Sequence, residues 1–590
     1  MCGIYGYSGY KRNATAAVMD GLRRLDYRGY DSWGVSVLKA SKILTDKHVG
    51  IVDGIKSKLP DSSVAIGHTR WATNGAVTVG NAHPHYAMDR SFVLAHNGIV
   101  ENFIELKKDL VKKGYRFSSE TDSEVIVHLI EEMRKVSANL VSAVRKAFKK
   151  LAGRNTIVLL DNTGQIIGAR NGSPLVVGLS KDTQEVYVSS DTLSFAPYVD
   201  DVVVLDNNEM VVCDKGKISL LEIKNGKSIT AKREKNSVED GLVGKEGYNH
   251  YMLKEIYEEP FVIKRVIDAS QSSYAELAKV IKKARSVYCI GSGTAGAAAF
   301  QLAYYLRTIS GISAVGLIGA EAMDYIDLVD KRDLFIALSQ SGETADVIEV
   351  LEKVKEKGAK LASFVNMPGS MITRLSDYKF MAQAGPEICV MSTKIFVSQL
   401  AWSYMVAKSV AGKYSDGQKV LSGVAKKVTR LLKDKSLTRQ VKSLAKNLSR
   451  ERDIFLLSKG QNMQIVKEGM VKLTEGAYIH AHAIPAGDLK HYAITLIEPG
   501  KPVLFVMSED EAKTDIVSAI HEVKARGARI IAIAQKPEKE FDDFIKVPNG
   551  GEASAIVNIV PLQLLAYYLA VILGHNVDKP RNIAKSVTVK

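Results

Sequence analysis

Cysteine and proline are scarce in this chain, and it lacks the marks of export. Its 590 residues include 4 cysteines, at positions 2, 213, 289 and 389, and their wide scatter argues against a disulfide framework. The 14 prolines leave little room for long linkers. No cationic stretch followed by an apolar one opens the sequence, so we expect no signal peptide and a cytoplasmic location.

The chain also lacks a basic arm, although its formal net charge is +15. Its lysines and arginines are spread along helical segments and alternate with acids, as in residues 352–357, EKVKEK. This pattern is typical of a solvated surface, and we expect no nucleic-acid partner. The positive field would at most gather phosphorylated metabolites.

One segment, residues 556–574, is apolar enough to cross a membrane, for which roughly 20 residues are needed. Asn558, Pro561 and Gln563 interrupt it, and the sequence has no second such segment. We therefore predict a buried helix behind a sheet and no membrane partner.

Hydrophobic periodicity divides the chain into regions. Residues 1 to about 225 carry short β-like runs and two helical patterns, near 101–113 and 122–136, which predicts an α+β unit. Apolar periodicity fades over residues 224–246, which predicts a linker. From residue 285, strand, glycine turn and helix repeat, as in a doubly wound parallel α/β domain. The pattern returns later, with residues 354–360 aligning with 523–529, so we expect a duplication.

The segment 339–344, SQSGET, follows a predicted strand and opens a predicted helix near Ala345. Three hydroxyls at a helix N-terminus suit a phosphate, although a capping arrangement that merely starts the helix would explain them equally well. The corresponding loop of the second copy, residues 508–513, carries three acids that would repel a dianion. Phosphate binding in the first copy is therefore favoured.

The segment 291–296, GSGTAG, is similar to a dinucleotide-binding glycine loop, which alone is a weak signal. The acidic residue expected about twenty positions later is missing, because no Asp or Glu occurs before Glu321. We interpret this turn as a second wall of a sugar-phosphate pocket.

Together with further motifs, these features resemble the glutamine–fructose-6-phosphate aminotransferase family over essentially the whole chain. The carboxyl half is similar through SQSGETAD, STK at 392–394, AGDLKH at 486–491 and PRNIAKSVTV at 580–589. The amino half is similar through CGI, RRLDYRGYDS, GHTRWAT, NAHPH, HNGIVEN and SETDSE.

The resemblance implies an α+β class II glutamine amidotransferase domain of the N-terminal-nucleophile fold, followed by two doubly wound α/β sugar isomerase (SIS) domains. The implied boundaries are 2–223 for the amidotransferase domain, 224–246 for the linker, 247–425 and 440–575 for the isomerase domains, and 576–590 for a tail that completes the sugar site.

Cys2 is the implied nucleophile, although the first forty residues contain no histidine to activate it. In this family the initiator methionine is removed and the exposed α-amine of the cysteine serves as its own base. Such an amine has a pKa of about 7.7 to 8.0, which suits proton transfer near neutral pH.

The other residues of the glutamine site follow from the resemblance. They are Arg70 for the substrate carboxylate, Asp122 for its ammonium group, Asn97 and the Gly98 backbone for the oxyanion, and Trp71 and Thr73 as pocket walls. Alternatively, Arg70 could form a surface ion pair, Trp71 could be a core residue, and His83 and His85 could bind a metal together. We expect no metal, since further ligands at suitable spacing are missing.

The sugar-phosphate site is implied in the same way. The phosphate is assigned to Ser339, Ser341 and Thr344, with Gln340 and Thr294 beside it, and the sugar to Val390 and Ser392. Glu475 is implied to transfer the proton between C1 and C2, and Lys472 lies one helical turn before it. His491 is implied to open the sugar ring, and Lys585 to form an imine with the open-chain ketose. Taken singly, Lys472 and Glu475 could be a surface ion pair and Lys585 a solvated tail residue.

The implied reaction converts fructose 6-phosphate and glutamine to glucosamine 6-phosphate and glutamate, the first step of amino-sugar biosynthesis, in a homodimer without redox or metal cofactor. Ala295, His482 and Asn74 depart from residues common in the family, which leaves another ketose phosphate open as acceptor. A sugar-phosphate-sensing regulator without turnover is a second alternative. A phosphoribosyl amidotransferase is disfavoured, because the isomerase half replaces its pyrophosphate-binding half.

Overall fold

A computed structural model describes residues 2–180, 185–236 and 244–588 of the chain. Two compact units emerge, one formed by Met1–Leu242 with Ala584–Lys590, the other by Val243–Ile583.

Antiparallel strands dominate the first unit. Its described strands are β1 (Gly3–Ser8), β2 (Ser32–Lys39), β3 (Lys42–Val49), β4 (Val64–Arg70), β5 (His85–Tyr86), β6 (Phe92–Gly98), β7 (Asn155–Asp161), β8 (Ile166–Asn171), β9 (Val176–Leu179), β10 (Val186–Ser189), β11 (Asp201–Val204), β12 (Glu209–Asp214), β13 (Lys217–Glu222), β14 (Ser228–Ile229) and β15 (Glu234–Lys235). They form one sheet in the order β15-β11-β9-β10-β1-β4-β2-β3 and another in the order β14-β13-β12-β8-β7-β6-β5.

Helices cover the outer faces of these two sheets. They are α1 (Ala14–Arg24), α2 (Phe103–Lys112), α3 (Ser123–Arg134) and α4 (Leu140–Phe148). Buried side chains from both sheets form one core, α1 packs on the first sheet, and α2 to α4 pack on the second. The result is four layers in the order helix, sheet, sheet, helix, which confirms the α+β prediction and the two predicted helices.

The alternation of side chains along β1 shows why this central strand is buried on both faces. Ile4 enters the core between the sheets, whereas Tyr5 and Tyr7 point to the opposite face, where they pack with α1. All six residues of β1 are buried. Cys2, the residue just before this strand, is thereby held against a rigid element.

Parallel strands and long helices build the second unit. The strands are β16 (Val287–Gly291), β17 (Ala314–Ile318), β18 (Leu334–Ser339), β19 (Lys360–Val365), β20 (Tyr378–Met381), β21 (Asp453–Ser458), β22 (His480–Pro485), β23 (Pro502–Val506), β24 (Arg529–Ala534) and β25 (Asp543–Lys546). The helices are α5 (Tyr251–Tyr257), α6 (Glu259–Ile267), α7 (Gln271–Lys283), α8 (Gly293–Ser310), α9 (Ala345–Glu356), α10 (Met371–Leu375), α11 (Lys394–Val410), α12 (Tyr414–Lys433), α13 (Lys435–Leu448), α14 (Met463–Ala477), α15 (Lys513–Lys524) and α16 (Ser554–Ile572).

The two sheets of this unit have the same topology, which confirms the predicted duplication. Their strand orders are β17-β16-β18-β19-β20 and β22-β21-β23-β24-β25, and all pairs are parallel. Helices of both copies share one hydrophobic core, in which α8 packs against α14. In such sheets the strand order reverses beside the first strand, and ligands bind at the carboxyl ends there.

Helix α16 contains most of the apolar segment at 556–574 and is buried, as predicted. By length and hydropathy, Gly551–Ile572 could cross a membrane, but 83% of its most apolar window is buried inside the protein. A core helix that packs on a sheet explains this composition.

Candidate active sites

Cys2 lies in a small cavity of the first unit, between β1 and the end of β4. Its Sγ accepts a hydrogen bond from the Trp71 N–H at 3.2 Å. The cavity is lined by the predicted residues Arg70, Trp71, Thr73, Gly98 and Asp122, among others. Burial raises the pKa of the Cys2 thiol, so the thiol needs a base to become a nucleophile.

Asn97 and Gly98 end strand β6 beside Cys2. The Asn97 Nδ2 donates to the Cys2 carbonyl oxygen at 3.1 Å. Gly98 has a φ of +142°, and a Cβ there would lie 2.2 Å from the Arg154 carbonyl oxygen, so only glycine fits. The strand end therefore brings a side-chain amide and an unobstructed backbone next to the nucleophile.

Arg70 ends β4 with its side chain buried, which excludes the reading as a surface ion pair. Its guanidinium donates to the carbonyl oxygens of Ala76 at 3.1 Å and Gly75 at 3.0 Å, and also to that of Asn74. Arg70 therefore fixes the loop after β4.

Asp122 lies just before α3 and is also buried. Its Oδ2 accepts the Val100 N–H at 2.8 Å. Arg70 and Asp122 thus place opposite charges on the wall of the cavity, as the two charged ends of an amino-acid substrate require.

A cluster of buried histidines reaches this cavity through His83, which lines it. His83 stacks on His68 with ring centroids 4.2 Å apart and lies 4.7 Å from the His85 ring. Burial lowers the pKa of each of these three rings. Within the described residues, no group of three or more potential ligands that could hold a metal was found.

The predicted phosphate loop lies in the second unit, at the switch point between β16 and β18. Ser339 ends β18, its Oγ accepts the Gly342 N–H at 2.9 Å, and the Ser341 Oγ accepts the Glu343 N–H at 3.2 Å. Gly342 has a φ of +66°, and a Cβ there would lie 2.1 Å from the Ser370 Oγ. The hydroxyls thus shape a tight turn that only glycine completes.

Helix α9 begins directly after this turn with Thr344 as its N-cap residue. Among the described residues, the Thr344 side chain accepts no capping hydrogen bond. A helix N-terminus with hydroxyls around it is suited to a phosphate, so phosphate binding stays the prediction for this turn.

Lys472 and Glu475 lie on α14, which contacts the 291–296 turn, the predicted second wall of the pocket, through Glu468. The Thr294 Oγ1 donates to the Glu468 Oε1 at 3.0 Å, and the Lys472 Nζ lies 3.3 Å from the same oxygen and 2.6 Å from the Glu475 Oε2. Lys472 and Glu468 have fully buried side chains, whereas that of Glu475 is 26% exposed. The alternative of a surface ion pair is therefore wrong.

The charges of this triad depend on each other. Burial raises the pKa of Glu468 to about 7, although the nearby Lys472 opposes this effect. Burial would lower the pKa of Lys472, but Glu468 and Glu475 outweigh it and the net shift is upward. The lysine is therefore a permanent cation between two carboxyl groups. Glu468 was not among the residues predicted from the sequence, although its spacing to Lys472 and Glu475 places all three on one helix face.

Val390 and Ser392 belong to a segment that Glu387 holds in place. Glu387, like Glu468, was not predicted from the sequence. The buried Glu387 carboxylate accepts the Ser392 hydroxyl at 2.7 Å and the N–H groups of Thr393 and Ile395 at 2.9 and 3.1 Å. Because Ser392 donates its proton to Glu387, its oxygen is left to accept from a ligand hydroxyl.

The two remaining predicted residues, His491 and Lys585, belong to other segments of the chain. His491 is exposed in a short turn after β22, and none of the hydrogen bonds, ion pairs or ring contacts of the described residues links it to Lys472 or Glu475. Lys585 belongs to the first compact unit through residues 584–590. In that unit the hydroxyls of Thr588 and Ser173 are hydrogen-bonded at 2.8 Å.

The second copy has a different pocket at the carboxyl ends of β21 and β23. A cavity of about 770 Å³ there is lined by five carboxyl side chains, Glu509, Asp510, Glu511, Asp515 and Glu552, with Lys459 as a basic residue. Such a surface repels phosphate. The prediction that phosphate binds in the first copy and not in the second depends on this contrast.

Comparisons with known proteins cover both units. Residues 68–196 match the glutamine amidotransferase domain, and residues 280–409 and 447–573 match the SIS domain. Glutamine–fructose-6-phosphate aminotransferases (isomerizing) of Pyrococcus horikoshii and Thermus thermophilus are each 38% identical to this chain, over 602 and 613 residues, with complete coverage of both sequences.

A solved structure agrees with these matches. The C-terminal domain of glucosamine-fructose-6-phosphate aminotransferase from Francisella tularensis is 31% identical, with a TM-score of 0.53, and covers 57% of this chain and 100% of its own. The predicted order of one amidotransferase domain and two SIS domains is thus confirmed, and the chain belongs to the family of isomerizing glutamine–fructose-6-phosphate aminotransferases.

Proposed function

We propose that this chain converts fructose 6-phosphate and glutamine to glucosamine 6-phosphate and glutamate. The observation that carries the proposal is the full-length match to relatives of that name, which includes both halves of the chain. Each half also contains a cluster of reactive side chains of the required kind: Cys2 with Arg70 and Asp122, and Lys472 with Glu475.

In the amidotransferase half, the Cys2 Sγ attacks the glutamine side-chain amide. We assign the α-amine of Cys2, exposed after removal of Met1, as the base that the buried thiol needs. Arg70 and Asp122 bind the charged groups of glutamine, and Asn97 with the Gly98 N–H stabilises the tetrahedral oxyanion. Mass spectrometry of active enzyme should find Cys2 at the N-terminus, and a form that retains Met1 should not hydrolyse glutamine.

In the isomerase half, the phosphate binds at Ser339, Ser341 and Thr344, beside the N-terminus of α9. Glu475 moves the proton between C1 and C2, oriented by the Lys472 ammonium 2.6 Å away. Lys585 forms the imine with the open-chain ketose, and His491 opens the ring. Ammonia passes between the sites without entering bulk water, where it would be protonated and unreactive.

A coupled assay tests both halves together. Purified protein with glutamine and fructose 6-phosphate should yield equal amounts of glutamate and glucosamine 6-phosphate. Cys2→Ala should abolish glutamine-dependent synthesis while ammonia still supports it, and Cys213→Ala, at a buried cysteine of the same unit, is the matched control. Glutamate release without amino sugar would contradict the proposed synthesis.

We propose further that the protein is a cytoplasmic homodimer. Tyr492 and Leu496, next to His491, are 49% and 58% exposed, and exposed apolar side chains are frequent at subunit interfaces. Sedimentation equilibrium should give twice the chain mass. A monomeric active enzyme would refute the assignment.

A further inference from the structure

The side-chain amide of Asn97 has two orientations of similar shape, but only one is useful for catalysis. With its NH₂ group toward Cys2 it can stabilise an oxyanion, whereas its oxygen in that place would repel one. The Asn97 nitrogen lies 3.1 Å from the Cys2 carbonyl oxygen, which can only accept a hydrogen bond. The useful orientation is therefore the one present.

A histidine lies on the opposite side of the same amide. The His68 Nε2 is 3.1 Å from the Asn97 Oδ1 and also 3.1 Å from the carbonyl oxygen of His96. A backbone carbonyl accepts only, so Nε2 must carry the proton of the neutral ring. A rotated Asn97 amide would place its NH₂ group against this N–H, donor against donor. The His68 tautomer thus selects the orientation of Asn97.

The surroundings of His68 hold that tautomer and the ring position. His68 is fully buried on β4, and its ring stacks on that of His83. The His83 Nδ1 accepts the His96 N–H at 3.2 Å, which ties the stacked ring to β6. Burial lowers the pKa of His68 to about 3, so the ring stays neutral near pH 7.

We propose that His68 is a positioning residue for glutamine hydrolysis, which holds the NH₂ group of Asn97 toward the oxyanion formed when Cys2 attacks its substrate. This inference rests on the proposed function, because it concerns the reaction assigned to Cys2. His68 acts through Asn97 and does not itself touch the substrate.

Two substitutions of His68 separate its hydrogen bond from its bulk. The amide nitrogen of glutamine can take the place of the His68 Nε2, whereas that of asparagine is too close to the backbone to reach Asn97. We expect His68→Gln to keep kcat for glutamine hydrolysis within a few-fold. His68→Asn should lower kcat about 10- to 100-fold with little change in KM, which is less than the roughly 10²- to 10³-fold loss when an oxyanion donor is removed outright, because Asn97 is still present but less well oriented.

Two further measurements exclude a merely structural role. In the Asn97→Ala background, His68→Asn should cause no further loss of kcat, because the residue it positions is gone. Ammonia-dependent synthesis should be unchanged in every His68 variant, since it bypasses Cys2.

The outcomes are distinguishable. Wild-type enzyme that hydrolyses no glutamine would refute the proposed function and this inference with it. Active wild type combined with a normal His68→Asn variant would refute the inference alone. Equal kcat losses in His68→Gln and His68→Asn, additive losses with Asn97→Ala, or a matching loss of ammonia-dependent synthesis would also overturn it.

Discussion

Replacing Lys472 with Met should strongly destabilise the second unit, because the change leaves two carboxyl groups without their cation. The Lys472 Nζ lies 3.3 Å from Glu468 and 2.6 Å from Glu475, and the side chains of Lys472 and Glu468 are fully buried. Removing one partner of a buried pair costs about 3–5 kcal/mol. An exposed pair contributes only about 0.2–1 kcal/mol, so the two cases are easily separated.

The loss translates into a measurable melting shift. The unfolding entropy is about 2.1 cal/mol/K per residue, or about 0.7 kcal/mol/K for the roughly 340 residues of Val243–Ile583. A loss of 3–5 kcal/mol then lowers the melting temperature by about 4–7 °C. Differential scanning calorimetry of the full chain measures it, with Lys353→Met as control, since Lys353 forms an exposed pair with Glu356.

The loss should also depend on pH. The folded-state pKa of Glu468 is raised to about 7, above its unfolded value, so this group costs stability as pH rises above the unfolded pKa. Without the Lys472 charge the folded pKa rises further, and the cost continues to grow above pH 7, by at most about 1.4 kcal/mol per pH unit. The destabilisation by Lys472→Met should therefore be larger at pH 9 than at pH 6.

A double variant completes the test. Glu468→Gln combined with Lys472→Met removes the stranded buried carboxylate, so at least half of the lost melting temperature should return. A shift below about 1 °C for Lys472→Met, or an equal shift for the double variant, would refute the reasoning from buried charge.

The remaining predictions concern three residues: a glycine in a crowded turn, a glycine with open space around it, and a buried histidine. Gly342→Ala should raise KM for fructose 6-phosphate at least tenfold without changing glutamine hydrolysis, because a Cβ at a φ of +66° would collide with its neighbour; an unchanged KM would contradict this. Gly423→Ala, on α12 with no atom within 4 Å of the added Cβ, should instead stabilise by about 0.5–1 kcal/mol in thermal unfolding. Burial disfavours the charged form of His128, but Glu124 and Glu131 raise its pKa to about 9. The charged His128 therefore stabilises the folded state fully below the unfolded pKa of about 6.5, and this stabilisation is lost as pH rises through 9. Urea unfolding of wild type should therefore show up to about 3 kcal/mol of loss over this range, and His128→Gln should largely lack it.

The strands and helices could be predicted from the sequence because each depends on the pattern of a few neighbouring residues. The strand, tight turn and helix around residues 334–356 follow from an apolar run, a glycine turn and helical periodicity, and β18 and α9 begin where expected. The apolar segment at 556–574 was predicted to be a core helix because polar residues interrupt it, and α16 is buried.

The electrostatic character of the sites could not be predicted in the same way. Lys472 and Glu475 are three residues apart on a helix, a spacing that surface and buried pairs share. Only the packing of α14 against α8 decides between them, because it buries Lys472 and connects it through Glu468 to Thr294. The role inferred for His68 depends likewise on contacts with residues 28 and 29 positions away, on another strand.

The corresponding loops of the two SIS copies differ in charge. In the second copy, Asp510 accepts the Ala512 N–H at 3.0 Å, and Glu509 pairs with Lys513 at 2.8 Å and Lys536 at 3.3 Å. That loop is thus balanced by the protein itself. In the first copy the equivalent bond is accepted by a neutral hydroxyl, because the Ser341 Oγ accepts the Glu343 N–H at 3.2 Å. The carboxylates of the second loop would repel a phosphate dianion, whereas the hydroxyls of the first loop would not. We therefore expect phosphate to bind at the first loop and not at the second.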